Sequence, residues 1–251
     1  TSGYGELNTF CVVAPHRRIA TGSTRLDVYE YTAARNEAVF VTEPQGCTDA
    51  VFCSEYNTIL TAAKHKIQSW NAETGVPGKV FHEVEEEEVD ITAVSLDIRG
   101  RRVYTGDSSG GVSVFDALTG SFLKHLSRHP CDISVIQVWR DSLNLLSASC
   151  DGLVLLQEQT LDAGSFLPSS STTDASSASS SSTSSCTTTT GRGGSLTDCV
   201  RYRAHLGVDG VRCMAVAASL EIVACGSGMS VHLLCLRTLR KEATISPSSV
   251  S

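Results

Sequence analysis

The segment His82–Asp90, HEVEEEEVD, holds the densest group of side chains that could do chemistry. A zinc site of the HExxH type needs two histidines on one face of a helix, with a glutamate between them as general base. His82 and Glu83 begin such a motif, but Glu86 stands where the second histidine is needed. The segment therefore predicts no metal site.

The same segment concentrates negative charge, and its acidic residues are Glu83, Glu85, Glu86, Glu87, Glu88 and Asp90. Like charges this close repel each other and stay solvated. Two interpretations remain open: a solvated loop without a partner, or a docking site for a basic protein surface. A nucleic-acid partner is not expected, because phosphates would be repelled and the 27 acidic residues of the chain outnumber its 20 basic ones.

Other motifs of catalysis or cofactor binding are missing from the sequence. It contains no GxSxG nucleophile turn, no phosphate-binding GxxxxGK[ST] loop and no CxxC pair. The glycine-rich GSGMS (226–230) predicts a turn between strands, and several of the ten cysteines stand in strand patterns where a free thiol packs as a small hydrophobe. We therefore expect no enzyme, no catalytic residue, no cofactor and no metal.

The elements that surround these residues read as short strands. Within Ile91–Gly120, apolar and polar residues alternate in three runs with a period near two, which is typical of half-buried strands. Arg99-Gly100 and Ser109-Gly110-Gly111 separate the runs, and glycine supplies the positive φ that a tight reversal needs. Each turn closes a hairpin, so an antiparallel sheet is predicted.

The pattern repeats along the chain about every 40 to 44 residues, apart from one longer gap that holds a low-complexity insert. A pair of small residues ends the second strand of each repeat: Thr21-Gly22, Thr61-Ala62, Thr105-Gly106, Ser147-Ala148 and Cys225-Gly226. A fixed repeat of this length predicts a fold built from similar stacked units rather than from one irregular core.

In these features the chain resembles the WD-repeat β-propellers. The stretches that carry the resemblance are SWNAETG, VFDALTG, SASCDGLVLLQE and DCVRYRAHLGVDGVRCMAV, in a register from Leu7 to about Ile245. The resemblance implies an all-β fold of five four-stranded antiparallel blades, almost without helix, over residues 1–251. First strands are expected near Asn8–Val13, Ala50–Cys53, Ile91–Leu96, Ile133–Val138 and Val211–Val216.

Because the repeats begin on a first strand and end on a fourth, we expect no strand exchange between the two ends and further blades in a larger propeller. Members of the family often bury a hydrogen-bonded network of His, Ser or Thr, Asp and Trp in each blade. The fourth repeat offers His129, Ser149 and Asp151 but has Gln157 in the place of Trp, and the fifth has His205 but Leu234. No blade is expected to complete the network, so apolar packing between blades should dominate.

A Ser/Thr-rich insert occupies about residues 165–195, centred on Ser169–Thr190. Such a tract buries too little apolar surface to offset the entropy of ordering, so we expect a disordered loop between the third and fourth strands of one blade. It is either a neutral expansion or a phosphorylation platform. No run of eighteen apolar residues suggests a membrane span, and a cytoplasmic location is expected.

The sequence thus predicts a non-catalytic scaffold for protein–protein interactions. The stretch ITAVSLDIRGRRVYTGDSSGGVSVFDALTG resembles repeats of the large WD-repeat proteins of cilia, flagella and related microtubule structures. That resemblance implies a structural part of a cytoskeletal or ciliary assembly, with tubulin-associated proteins or other assembly subunits as partners. The alternative is an adaptor propeller, such as a ubiquitin-ligase substrate receptor or a signalling scaffold.

Overall fold

The computed structural model describes residues 7–31, 38–42, 46–83, 89–139, 144–159, 198–207 and 209–246. They form five four-stranded antiparallel sheets arranged as the blades of a β-propeller. Helix is limited in these residues to one 3₁₀ turn, Ala14–His16. The predicted all-β fold, with five four-stranded blades and almost no helix, is confirmed.

Each blade is a run of four consecutive strands. The strands are, blade by blade, β1 Thr9–Val13, β2 Arg18–Gly22, β3 Leu26–Glu30, β4 Ala38–Thr42; β5 Asp49–Cys53, β6 Thr58–Ala63, β7 Lys66–Asn71, β8 Pro77–Glu83; β9 Ile91–Leu96, β10 Arg102–Asp107, β11 Val112–Asp116, β12 Phe122–His125; β13 Ile133–Trp139, β14 Asn144–Ser149, β15 Leu153–Gln159, β16 Asp198–His205; β17 Cys213–Ala217, β18 Ile222–Ser227, β19 Ser230–Cys235 and β20 Lys241–Ile245. The five first strands match the predicted segments to within about two residues.

Burial follows the place of a strand within its blade. The second strands β6, β10 and β14 are buried at nearly every position, whereas every residue of the fourth strand β20 is exposed. The reason is that these three strands belong to the inner blades, whose sheets are covered on both faces by neighbouring blades, so they have no solvent side. In the first and fifth blades, β2 and β18 alternate between buried and half-buried residues. The half-buried strands that alternation predicted are therefore correct for the blade edges and wrong for these second strands.

The apolar core is divided among the seams between blades. Four clusters of buried side chains fill the seams from the first blade to the fifth, and the largest, between blades four and five, includes Trp139, Leu146 and Leu234. First strands of successive blades lie against each other, from β1 and β5 through to β13 and β17. Among the described residues, β17 and β1 make no contact of comparable extent. Whether further blades continue the propeller stays a prediction.

Glycine closes the tight turns where another blade approaches. Gly110 has φ +85°, and a Cβ built on it would lie 2.4 Å from the carbonyl oxygen of His129. No other residue fits there without a shift of the backbone, because both the positive φ and the close approach exclude a side chain.

The strands that flank the Ser/Thr-rich insert are neighbours in one sheet. β15 pairs with β16 in an antiparallel register that runs from Leu153 and His205 to Gln159 and Asp198. They are the third and fourth strands of the fourth blade. The insert itself, at about 165–195, lies outside the described residues, so its expected disorder stays a prediction.

Candidate interaction faces

The strand directions give the propeller two distinct faces. First strands start, and second strands end, on the face that also carries the blade-to-blade connections; we call it the connection face. The opposite face carries the turns between first and second strands and those between third and fourth strands. Propeller loops are the places where partners can be held without disturbing the blades.

The acidic segment joins blades two and three on the connection face. Glu83 ends β8, where it pairs with Lys66 of β7. Asp90 is exposed, its backbone N–H donates to Ser108 Oγ at 3.0 Å, and its carbonyl accepts from the Ser108 N–H at 2.8 Å. The structure thus places both ends of the segment, while Glu85, Glu86, Glu87 and Glu88 lie outside the described residues.

Polar side chains hold neighbouring blades together on this face. Asn8 Nδ2 donates to the Cys47 carbonyl at 3.0 Å, Thr48 Oγ1 to the Ile91 carbonyl at 2.8 Å, and Thr92 Oγ1 to the Ile133 carbonyl at 2.5 Å. The three donors occupy the same position in successive repeats. We call these three hydrogen bonds the inter-blade clamps.

The seam between blades four and five departs from this pattern. Ser134 has the corresponding position, and its hydroxyl donates to Ala148 of its own blade at 3.1 Å. Among the described residues it makes no bond to blade five. A cleft of about 300 Å³ opens here, lined by Ser134, Cys150, Asp209, Gly210, Val211 and Arg212. Among the described residues, the seam that lacks a side-chain clamp is thus also the one that holds this cleft.

A buried hydrogen-bond network lies in the fourth blade, on the side that faces the third blade. His129, only 3% exposed, contacts Ser147 Oγ through Nε2 at 2.7 Å and Ser149 Oγ through Nδ1 at 2.9 Å. Ser149 donates in turn to Asp151 at 2.5 Å, and Gln157 Nε2 donates to Ser147 at 3.4 Å. A neutral His129 protonated on Nδ1 lets every donor in this series find an acceptor.

The electrostatics of the network favour the neutral imidazole. Burial, with a smaller contribution from Arg203, lowers the pKa of His129 to about 4, although Asp151 acts to raise it. Burial also acts to raise the pKa of Asp151, but the hydrogen bonds from Ser149 and from the Leu153 N–H outweigh burial and lower it. At neutral pH the network therefore joins an uncharged histidine to an ionised carboxylate.

The expectation that Gln157 leaves this network incomplete is wrong. Gln157 is fully buried, and its amide also joins the Ser127 backbone, accepting from the N–H at 3.1 Å and donating to the carbonyl at 3.3 Å. An amide has both donors and an acceptor, so it replaces an indole N–H as donor and adds a backbone contact. Ser147, which the sequence pattern showed only as a small residue at the end of a second strand, supplies the hydroxyl that both His129 and Gln157 contact.

A second buried polar group connects three blades near the starts of their first strands. Asp49 accepts from Thr9 Oγ1 at 2.9 Å, from the Ala50 N–H at 2.8 Å and from the Val94 N–H at 2.8 Å. Burial raises the pKa of Asp49, against these three hydrogen bonds that lower it. Burial, with a smaller contribution from Asp49, raises the pKa of the neighbouring Cys11 thiol to about 12. These groups are arranged to hold blades together.

The described residues contain neither a cluster of metal ligands nor a membrane-spanning helix. Within these ranges no group of three or more His, Cys, Asp and Glu side chains is arranged to hold a metal ion. The same part of the chain contains no long apolar helix that could span a bilayer. Free thiols are present at Cys11, Cys47, Cys53, Cys131, Cys150, Cys213, Cys225 and Cys235.

The architecture defines the chain as a β-propeller, and comparison with known proteins adds one relative. No protein-family model matches the chain. Over 103 residues it is 34% identical to "Cilia- and flagella-associated protein 337 B" of Tetrahymena thermophila. The match covers 41% of this chain and 8% of that relative, so the chain corresponds to a small part of a much longer protein.

Proposed function

We propose that the chain is a non-catalytic β-propeller of the WD-repeat type that holds protein partners within a ciliary or flagellar structure. The observation that carries the proposal is the similarity to a cilia- and flagella-associated protein, taken together with the five-bladed fold. A propeller offers rigid blades and variable loops, which suits the simultaneous binding of several proteins. The buried polar groups of this propeller are bonded to each other, which supports a structural rather than a catalytic role for them.

The connection face is the proposed docking side. It carries the acidic segment, whose residues Glu83, Glu85, Glu86, Glu87, Glu88 and Asp90 supply a strong negative charge between two blades. Exposed Asp132 and Asp209 add to it farther round the same face. A basic surface of a tubulin-associated protein or of another assembly subunit is the partner that this charge would attract.

The test is where the protein is located in a ciliated cell and which proteins co-purify with it. The full-length tagged protein should enter cilia, remain with the axoneme after detergent removes the membrane, and co-purify with tubulin-associated proteins. Co-purification with ubiquitin-ligase subunits from a cytosolic fraction, with none of the protein in cilia, would favour the adaptor alternative instead.

A further inference from the structure

The opposite face differs in charge from the connection face. Three exposed arginines stand on the turns between first and second strands: Arg17 in the first blade and Arg99 and Arg101 in the third. None of them forms an ion pair with another described residue. Three unpaired guanidinium groups give the ends of blades one and three local positive charge, and Glu55 and Glu73 of blade two lie between them.

The turns that bear these arginines are fixed relative to each other through the second blade. His16 Nε2 contacts Asn57 Oδ1 at 2.6 Å, which joins the first-to-second strand turns of blades one and two. Cys53 Sγ donates to the Gly100 carbonyl at 3.4 Å, which joins blades two and three. The spacing of the arginines is therefore set by the propeller before any ligand arrives, and preorganisation lowers the entropy lost on binding.

Within each turn the backbone is held as well. Asp97, which is buried, accepts the N–H groups of Arg101 and Arg102 at 2.5 and 3.1 Å. Arg17 adopts the left-handed conformation with φ 53°, which points to a turn that the surrounding residues hold in place. The arginine side chains themselves remain free to bind.

Apolar and acidic residues accompany the arginines. Ile98, between buried Asp97 and Arg99, is 76% exposed. Exposed Glu55 and Glu73 lie on the turns of the second blade between the two arginine sites. Nucleic acid and anionic membranes present uniform negative charge, which these two carboxylates would repel. A polypeptide segment with separate carboxylates and an aliphatic side chain fits this alternation of arginines and glutamates better.

We propose that this face, made of Arg17, Ile98, Arg99 and Arg101, binds an acidic polypeptide segment that also carries aliphatic residues. Carboxylates of the segment would pair with the guanidinium groups, which can hold a carboxylate through two parallel N–H donors. An aliphatic side chain would cover Ile98. With a basic partner on the connection face, the propeller would join two proteins of opposite charge through its two ends.

The experiment uses the intact chain and a fluorescein-labelled peptide of alternating glutamate and leucine, followed by fluorescence anisotropy. The wild type should bind, and binding should weaken as salt rises. The variant Arg17→Gln/Arg99→Gln/Arg101→Gln should lose about tenfold in affinity, because it loses three exposed charge pairs that are each weak. Ile98→Ser should lose about threefold.

The matched control removes the same charge from the connection face. Arg25, Lys64 and Arg212 are exposed there, and Arg25→Gln/Lys64→Gln/Arg212→Gln should stay within about twofold of wild type. Equal losses in both triple variants, or no binding by wild type at millimolar peptide, would overturn the proposal. So would tighter binding to a single-stranded oligonucleotide or to anionic vesicles than to the peptide. Because the peptide is acidic, these outcomes leave the basic partner of the connection face untouched.

Discussion

Gln157 occupies in the fourth blade the position that Trp70 occupies in the second. Trp70 pairs across the sheet with Ile59 and donates through Nε1 to Thr61 Oγ1 at 2.9 Å. Gln157 pairs with Leu145 and donates through Nε2 to Ser147 Oγ. Two side chains of different shape thus meet the same demand, which is to supply a donor to a hydroxyl buried inside a blade.

Replacing Gln157 by Leu should lower the free energy of unfolding by about 1 to 3 kcal/mol, because the Ser127 backbone groups lose their partners inside the protein. Urea denaturation followed by circular dichroism measures the change. Gln68→Leu is the matched control: Gln68 makes one bond of 3.4 Å, and its loss should cost less. Equal effects of the two substitutions would show that the network adds nothing beyond the volume of the side chain.

Stability should depend on pH through His129. Its pKa in the folded state, about 4, lies below the usual 6.5, so the unfolded chain takes up the proton first. The contribution is complete above pH 6.5 and is lost as pH falls from 6.5 towards 4, which amounts to about 2 kcal/mol at pH 5. The difference in unfolding free energy between wild type and His129→Gln, measured from pH 8 to 5, isolates this group.

The comparison with His129→Gln is needed because the raised pKa of Asp49 changes stability with pH in the opposite direction. A carboxyl whose pKa is raised on folding destabilises the folded state when ionised, and this cost diminishes as pH falls. The lowered pKa values of Asp116 and Asp151 act only as pH falls through the range in which carboxylates protonate. A difference curve without slope between pH 8 and 5 would contradict the assignment to His129.

The inter-blade clamps should be worth more than a hydroxyl bonded within one blade. Thr48→Val and Thr92→Val keep the side-chain shape and remove a hydroxyl whose single proton lies between two carbonyl oxygens, one of them in the next blade. Each should destabilise the fold by about 1 to 3 kcal/mol. Ser134→Ala removes one bond within a blade and should cost about 1 kcal/mol or less. Chemical denaturation compares the three, and a larger effect at Ser134 would refute the clamp assignment.

If the acidic segment docks a basic partner, replacing Glu85 to Glu88 by Gln should slow association far more than it speeds dissociation. Raised salt should act on the wild type in the same way, because screening shortens the reach of exposed charges. Fold stability should hardly change. Surface plasmon resonance with a co-purified partner gives both rates, and unchanged association at low salt would return the segment to a solvated loop.

Deleting Ser169–Thr190 should leave the fourth blade intact, because β15 and β16 pair independently of the tract between them. Stability should stay the same or rise by about 0.6 kcal/mol for each halving of loop length. Limited proteolysis of the intact chain should cut first within this tract. Unfolding of the deletion variant would mean that the tract is packed against the propeller.

Strand positions and blade number could be predicted from the sequence because alternation and repeat length report the backbone directly. β9 matches its expected segment, Ile91–Leu96, at both ends. The clamps could not be predicted in the same way. Asn8 differs in chemistry from Thr48 and Thr92, and the role that the three share appears only when neighbouring blades bring a carbonyl within reach. The role of Gln157 could not be predicted either. The expected residue at this position was tryptophan, whereas the structure needs only a hydrogen-bond donor there.

The acidic segment was found from composition, but its place between two blades needed the fold. The arginines of the opposite face were not recognised as one group because Arg17 and Arg99 are far apart in sequence, although each has arginine neighbours, at Arg18 and at Arg101 and Arg102. Only the arrangement of the blades brings the two short basic stretches to the same face.

The seam between blades four and five has a mechanical consequence. A force that pulls the blades apart at the connection face must break one of the inter-blade clamps at each of three seams. At the fourth seam Ser134 offers no such hydrogen bond. Blades four and five would begin to separate at the cleft. The large apolar cluster around Trp139 and Leu234 would then resist further separation. Under slow tension the propeller would open first at the connection face of this seam. A force–extension trace would therefore show one small step before blade five detaches.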